Sequence, residues 1–200
     1  MKPVSPYRNV EQYTRISIEP YQMNSDIRNY MKINLKKKVE KKCNKNGYVD
    51  EVYRIINTSD GELLADNFLG NAIYNISYHC RLCLPIENSI IISQVKLINQ
   101  ELIATINGPI MTFIPKDKVD STYWDITNNF THKIKKDIKL KIGDYVLIQI
   151  INKRINQNDV QIKTIGKLLD LAEEKDIKEY FGHINEDQLD NTQEDNNFII

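Results

Sequence analysis

Cys80-Arg81-Leu82-Cys83, directly after His79, has the spacing of half a zinc site. Two thiolates can share one ion only if both side chains point at it. Around them, however, Ile76, Tyr78, Cys80, Leu82 and Leu84 alternate with Ser77, His79 and Arg81, which is the period of a strand. Positions three apart on a strand face opposite sides, so Cys80 is expected inside and Cys83 pointing away. A second ligand pair is missing, and Cys43 brings the total to three cysteines, too few for a disulfide framework. No metal and no other cofactor is expected. His79, His132 and His183 are scattered and read as ordinary strand or loop residues. The patterns Gly-x-x-x-x-Gly-Lys-Ser/Thr, His-Glu-x-x-His and Gly-x-Ser-x-Gly do not occur, so the chain reads as a non-enzyme.

The remaining chemistry lies in cations and aromatic rings. Formal charge is zero, with 27 basic and 27 acidic residues, but it is sorted along the chain. From Lys32 to Lys45 seven lysines face one acid, Glu40. Lys133, Lys135, Lys136, Lys139 and Lys141 form a second cluster around Asp137, and residues 170–195 carry ten acids against two lysines. Such blocks are local surfaces for nucleic acid or an acidic partner, or plain solvated faces. The candidates for contact with RNA are Phe113, Lys116 and Lys118, together with Lys153, Arg154 and Lys163. An exposed ring stacks a base for about 1–3 kcal/mol, and cations add affinity by counterion release. Phe113 reads slightly more readily as barrel core than as a stacking platform, and the lysines read also as solvated. Tyr123 and Trp124 are a further aromatic pair, or pin a loop onto its domain.

The elements that must position these residues follow from periodicity. Ile90 to Ile98, Leu102 to Ile106 and Ile110 to Ile114 are short apolar runs, the last two separated by the turn Gly108-Pro109. With Tyr145 to Ile151 and Val160 to Leu168 they make five strands, the signature of an all-β OB barrel, a platform for single-stranded nucleic acid. A long insertion, from Pro115 to Gly143, precedes the fourth strand. A terminal helix is expected over 168–180. Before the barrel, an alternating run at 14–19 reads as a strand. The stripe Ile27, Met31, Leu35 and Val39 reads as a helix capped by Asn24 or Ser25. A strand from Gly47 to about Asn57 is expected to turn Val49, Tyr53 and Ile55 inward, and a long strand from Ile73 to Leu84 follows. The expected organisation is an α+β unit over 1–84, the OB barrel over 85–182 and an acidic, mobile tail over 183–200.

In this order the segments resemble the larger stalk subunit of multisubunit DNA-directed RNA polymerases, the seventh subunit of eukaryotic polymerase II and its archaeal counterpart. The matching positions in the first unit are Ile18-Glu19-Pro20, the Ile27 to Val39 helix, Glu40-Lys41-Lys42-Cys43 and Gly47-Tyr48-Val49. In the second they are Gly108-Pro109, Phe113-Ile114, Gly143-Asp144, Arg154, Ile165-Gly166 and Tyr180-Phe181-Gly182. The family's glycine before Lys42 is Lys41 here, and its Gly-Phe-Phe/Val strand is Glu101-Leu102-Ile103. The resemblance implies an α+β tip domain that docks on the polymerase core, with Gly47, Tyr48 and Gly61 in the contact. It also implies an OB domain of the ribosomal-protein S-one type facing the nascent RNA, and a smaller stalk partner packed across both domains. The missing barrel aromatics imply weak, charge-driven RNA contact.

The rival reading is a free-standing OB-fold RNA-binding protein of translation or RNA decay. Neutral charge and the missing aromatics count against it. No apolar run approaches the roughly 20 residues that cross a bilayer, and residues 1–15 lack a signal-peptide core, so an intracellular, membrane-free protein is expected. Richness in Ile, Asn and Lys fits the AT-rich genome of a large DNA virus or a protist. That implies host cytoplasm and virion for a viral copy, and the nucleus for a cellular one.

Overall fold

The computed structural model describes residues 2–65, 68–125, 130–133 and 139–182. Lys135, Lys136, His183 and the acidic tail therefore lie outside the described residues. The first half contains β1 (Tyr7–Ile18), α1 (Ile27–Val39), β2 (Lys42–Asn44), β3 (Gly47–Thr58), β4 (Glu62–Leu63) and β5 (Ala72–Cys83). These strands form one antiparallel sheet in the order β1-β5-β3-β2, with β4 paired to the far end of β5. Met31 and Leu35 of α1 bury against Ile16, Ile18, Val49, Val52, Ile76, Tyr78, Cys80 and Leu82, so the helix covers one face of the sheet.

Two local readings differ from expectation. β1 begins at Tyr7 rather than near residue 14, because its polar first half still pairs with β5 from Tyr7↔Cys83 onward. In β3 the inward residues are Val49, Val52 and Ile55, not Tyr53. Register shifts follow Val49, Val52 and Ile55, and each extra residue resets the two-residue alternation. Tyr53 therefore lies on the opposite face, its ring 5.8 Å from that of His79.

The second half contains β6 (Ile90–Ile98), β7 (Leu102–Asn107), β8 (Ile110–Pro115), β9 (Trp124–Asp125), β10 (Thr131–His132), β11 (Tyr145–Arg154) and β12 (Ile162–Leu171). Five of these close a barrel in the order β11-β12-β8-β7-β6, with β12 parallel to β8 and every other pairing antiparallel. Numbered within the barrel, the order is first, second, third, fifth, fourth, the OB arrangement expected. The predicted terminal helix starts later, over 174–182, because Leu168 is still needed to close the barrel core. The described parts of the insertion pack on the barrel through Val119, Trp124, Phe130 and Leu140. Trp124 is fully buried and its indole N–H donates to the Leu169 carbonyl at 3.1 Å, while Nε2 of His132 lies 2.9 Å from Oδ1 of Asp170.

The two halves share a core. Tyr7, Cys43, Tyr48 and Cys83 belong to the cluster built around the barrel residues Ile92, Ile110, Ile150 and Tyr180. Cys43 and the β11–β12 loop exchange main-chain bonds, Cys43 N–H to Asp159 O and Asn158 N–H to Cys43 O, both 2.8 Å. Arg81, 1% exposed, sets its guanidinium 4.2 Å from the Tyr7 ring centroid, with Nε 3.9 Å from the Asp50 carboxylate. Gly108 turns with φ +53°, and a Cβ there would meet the Tyr7 hydroxyl at 2.3 Å. Gly47 has φ +147°, and a Cβ would lie 2.7 Å from the Cys83 carbonyl oxygen. Gly47→Ala is therefore expected to cost about 1–3 kcal/mol, read as a lower denaturation midpoint at unchanged slope.

Candidate functional site

The barrel strands alternate as a half-buried surface requires. Ile110, Thr112 and Ile114 of β8 point inward, so Met111, Phe113 and Pro115 point out. Phe113 is thus an outer-face residue, half-buried between Ala104 of β7 and Ile165 of β12, its register partners. Leu97 pairs in turn with Ala104, which makes a row of outward apolar residues across four strands: Leu97, Ala104, Phe113 and Ile165. Leu97 and Ile165 are both exposed. One row along, Met111 pairs with Lys163, and Lys163 with Arg154. An aromatic ring, two cations and an apolar strip therefore share one face.

The other candidate cations are placed differently. Lys116 and Lys118 follow β8 in a 3-10 turn, five and seven residues past Met111, so Lys116 is about 17 Å along the strand from the Lys163 row. Lys118 stands 3.6 Å from Asp117. The ammonium of Lys153 donates to the Pro85 carbonyl at 3.0 Å, which turns it to the linker between the halves and away from this face. Lys167, outward on β12, is held by Asp120 at 2.9 Å. That ammonium, with the Thr122 amide and hydroxyl, pulls the Asp120 carboxyl down to about 2. Lys167 is thereby neutralised as an anion contact. The face is cationic at its Lys163 and Arg154 end and again at Lys116.

The first half presents a second surface. Gly61 sits in the β3–β4 turn, packed on the Tyr74 ring. Beyond it Leu63, Leu64, Phe68 and Leu69 are all exposed, Phe68 by 99%. Gly70 brings this loop beside Pro20, and the following Tyr21 is exposed as well. Gly47 and Tyr48 lie at the other end of the sheet. Tyr48 pairs with Cys83 and β4 with Ile73 and Ala72, so the two ends are about 33 Å apart along β5. Both Gly47 and Tyr48 are buried, Tyr48 against the barrel and Gly47 against Leu82 and Cys83 of β5, so they do not share a surface with Gly61. The apolar tip was not singled out from the sequence. Its signal is two apolar pairs, Leu63-Leu64 and Phe68-Leu69, in a segment bounded by Gly61 and Gly70 with neither helix nor strand period.

Cys80 and Cys83 occupy different cores, Cys80 under α1 and Cys83 against the barrel. Their side chains diverge as the strand period requires, although both are fully buried, so Cys83 turns away from Cys80 without reaching solvent. Burial pushes the Cys80 thiol up to about 12 and the Cys43 thiol, beside Asp159, up to about 11, which keeps them protonated. Among the described residues no three His, Cys, Asp or Glu side chains come together as a metal site. No described helix is long and apolar enough to cross a membrane.

Comparison with known proteins agrees with this geometry. The model of the "SHS2 domain found in N terminus of Rpb7p/Rpc25p/MJ0397" matches residues 14–67, from the middle of β1 to the apolar tip. A protein of Acanthamoeba polyphaga mimivirus, titled "Putative DNA-directed RNA polymerase subunit", is 39% identical over 167 residues, which cover 83% of each chain. That alignment exceeds what the first half alone could supply, so the likeness extends into the OB barrel. The chain belongs to the family of the larger, Rpb7-type stalk subunit of multisubunit DNA-directed RNA polymerases.

Proposed function

We propose that this chain is a non-catalytic stalk subunit that docks on the polymerase core through its first half and presents the OB barrel to the exiting transcript. The observation that carries the reading is the pairing of two unlike surfaces on one body. Leu63, Leu64, Phe68 and Leu69 stand bare at one end, and a mixed cationic and apolar face lies on the barrel. An exposed apolar loop of this kind costs solubility unless a partner covers it. The core contact is accordingly assigned to Gly61 and the loop beyond it. Gly47 and Tyr48 enter as the residues that seat the first half on the barrel. The division into 1–84, 85–182 and a tail at 183–200 stands as part of the same proposal, as do a smaller stalk partner lying against both halves and an intracellular site of action, host cytoplasm and virion for a viral copy.

RNA contact is assigned to Phe113, Lys163 and Arg154, with Lys116 and Lys118 at the far end of the face and Lys153 as a lesser contributor. The outward row crosses the second and third barrel strands, the face on which OB folds take oligonucleotides, and Lys163 and Arg154 flank it from the fifth and fourth strands. A single ring flanked by aliphatic residues gives little stacking, so affinity comes mainly from charge. Binding of a single-stranded RNA is expected to fall steeply with salt. Replacing Lys116, Arg154 and Lys163 together by Ala should flatten the slope of log affinity against log salt by about 2 units. Fluorescence anisotropy on a short labelled RNA measures this. An unchanged slope in the triple variant would remove these residues from the RNA surface.

A further inference from the structure

β1 is the outermost strand of its sheet, and among the described residues nothing pairs with its outer edge. Its register with β5 is unbroken from Tyr7↔Cys83 to Ile18↔Ala72. The Leu84 amide donates to the Pro6 carbonyl at 2.8 Å, so even-numbered residues turn their main chain toward β5. Odd-numbered residues turn theirs off the edge. Toward the strand's ends those outward groups are engaged. The Tyr7 amide donates to Oγ of Ser5 at 3.4 Å, the Lys38 ammonium donates to the Arg15 carbonyl, and the Asn34 side-chain amide donates to the Ser17 carbonyl at 3.1 Å. Between them Asn9, Glu11 and Tyr13 are exposed, and their outward N–H and C=O groups face no described partner.

The other edge of the sheet shows what protection looks like. There β2 pairs with the start of β3, the Glu40 carboxylate accepts from the Val52 amide at 3.0 Å, and three register shifts bend the strand. Bulges and capped amides of this kind keep an edge from templating another chain. The middle of β1 has no bulge, no proline and no lysine. Beside it, on the α1 side, lies a groove of about 240 Å³ lined by Gln12, Thr14, Lys38, Lys42 and Lys45. Glu11, the one acid of β1, is on the other face of the sheet with Tyr13, by the alternation of the strand.

We propose that Asn9 to Tyr13 takes an extended, acidic segment of another protein as an added strand, its acidic side chains over the lysine-lined groove. Main-chain hydrogen bonds supply affinity in this mode, and alternate side chains supply selectivity. The inference deepens the reading of the chain as one subunit of an assembly and rests on it only for the presence of a partner.

The probe is a fluorescein-labelled peptide, Glu-Val-Glu-Val-Glu-Val-Glu, titrated into the full chain. Saturable binding is expected, with amide NMR shifts at Asn9, Glu11 and Tyr13 larger than at Val10 and Gln12. Affinity should fall at least tenfold with the peptide N-methylated at alternate residues, with Lys42→Glu combined with Lys45→Glu, and with Glu11→Pro. Proline is tolerated where an edge amide points to solvent. Equal binding of the N-methylated peptide, which needs no variant to fold, would overturn the proposal in favour of simple charge attraction. Self-association reversed by Glu11→Pro would overturn it in favour of a second copy of this chain. Glu11→Pro leaves the Gly61 to Leu69 loop untouched, so polymerase association scored on the same variant separates a failure here from a failure of the stalk reading.

Discussion

Trp124→Ala is expected to destabilise the protein by about 3–5 kcal/mol, the cost of emptying a large aromatic site in a core. Trp124 is 0% exposed, packed with Val119, Phe130, Leu140 and Leu168, and its indole N–H is bonded to the Leu169 carbonyl. Its ring centroid lies 5.2 Å from that of His132, which is itself tied to Asp170. Removing the indole therefore leaves a cavity, takes a donor from the Leu169 carbonyl and loosens the paired strands β9 and β10 from β12. Chemical denaturation of the full chain measures the loss, and Trp124→Phe should recover part of it by refilling the space without the N–H. A loss under 1 kcal/mol would show that the insertion is not anchored through this residue. The same burial removes Trp124 from any RNA-stacking role.

Phe68→Glu combined with Leu69→Glu is expected to reduce co-purification of polymerase core subunits at least tenfold. Both side chains are exposed and pack against neither core cluster, so two carboxylates there leave the fold intact while forbidding burial in a partner. The thermal midpoint should stay within about 2 °C of the parent, since surface substitutions away from special features change stability little. Deleting a whole half is a poorer experiment. Cutting after residue 84 would strip the barrel from Tyr7, Cys43, Tyr48 and Cys83, which share its core, and would confuse lost contact with lost folding. Core association that survives the double substitution would move the docking surface elsewhere.

Much of the fold was legible because its strongest signals are local. The α1 stripe gave the start of the helix, Ile27, and the turns at Gly108-Pro109 and Gly143-Asp144 punctuated the barrel strands correctly. The helix stops at Val39, short of the end expected near 42–46, because Lys42–Asn44 pairs with β3 as a strand. What periodicity missed depends on tertiary pairing. The first half of β1 carries Arg8, Asn9 and Glu11, which look like loop until β5 supplies a register. Tyr53 was assigned to the wrong face because bulges are invisible to a two-residue alternation. The site was less legible than the fold. Phe113 emerged as an outward residue only once β8 was known to point Ile110, Thr112 and Ile114 inward. Lys153 looked equivalent to Arg154 in sequence, yet their side chains have different partners, the Pro85 carbonyl for one and Asn156 for the other.

Affinity purification of the tagged full chain at low salt, with identification of every co-purifying chain, tests the central claim most directly. The account predicts stoichiometric recovery of the two largest subunits of a DNA-directed RNA polymerase. Recovery of ribosomes or ribonucleases in their place would contradict it, and would point to a free-standing RNA-binding protein.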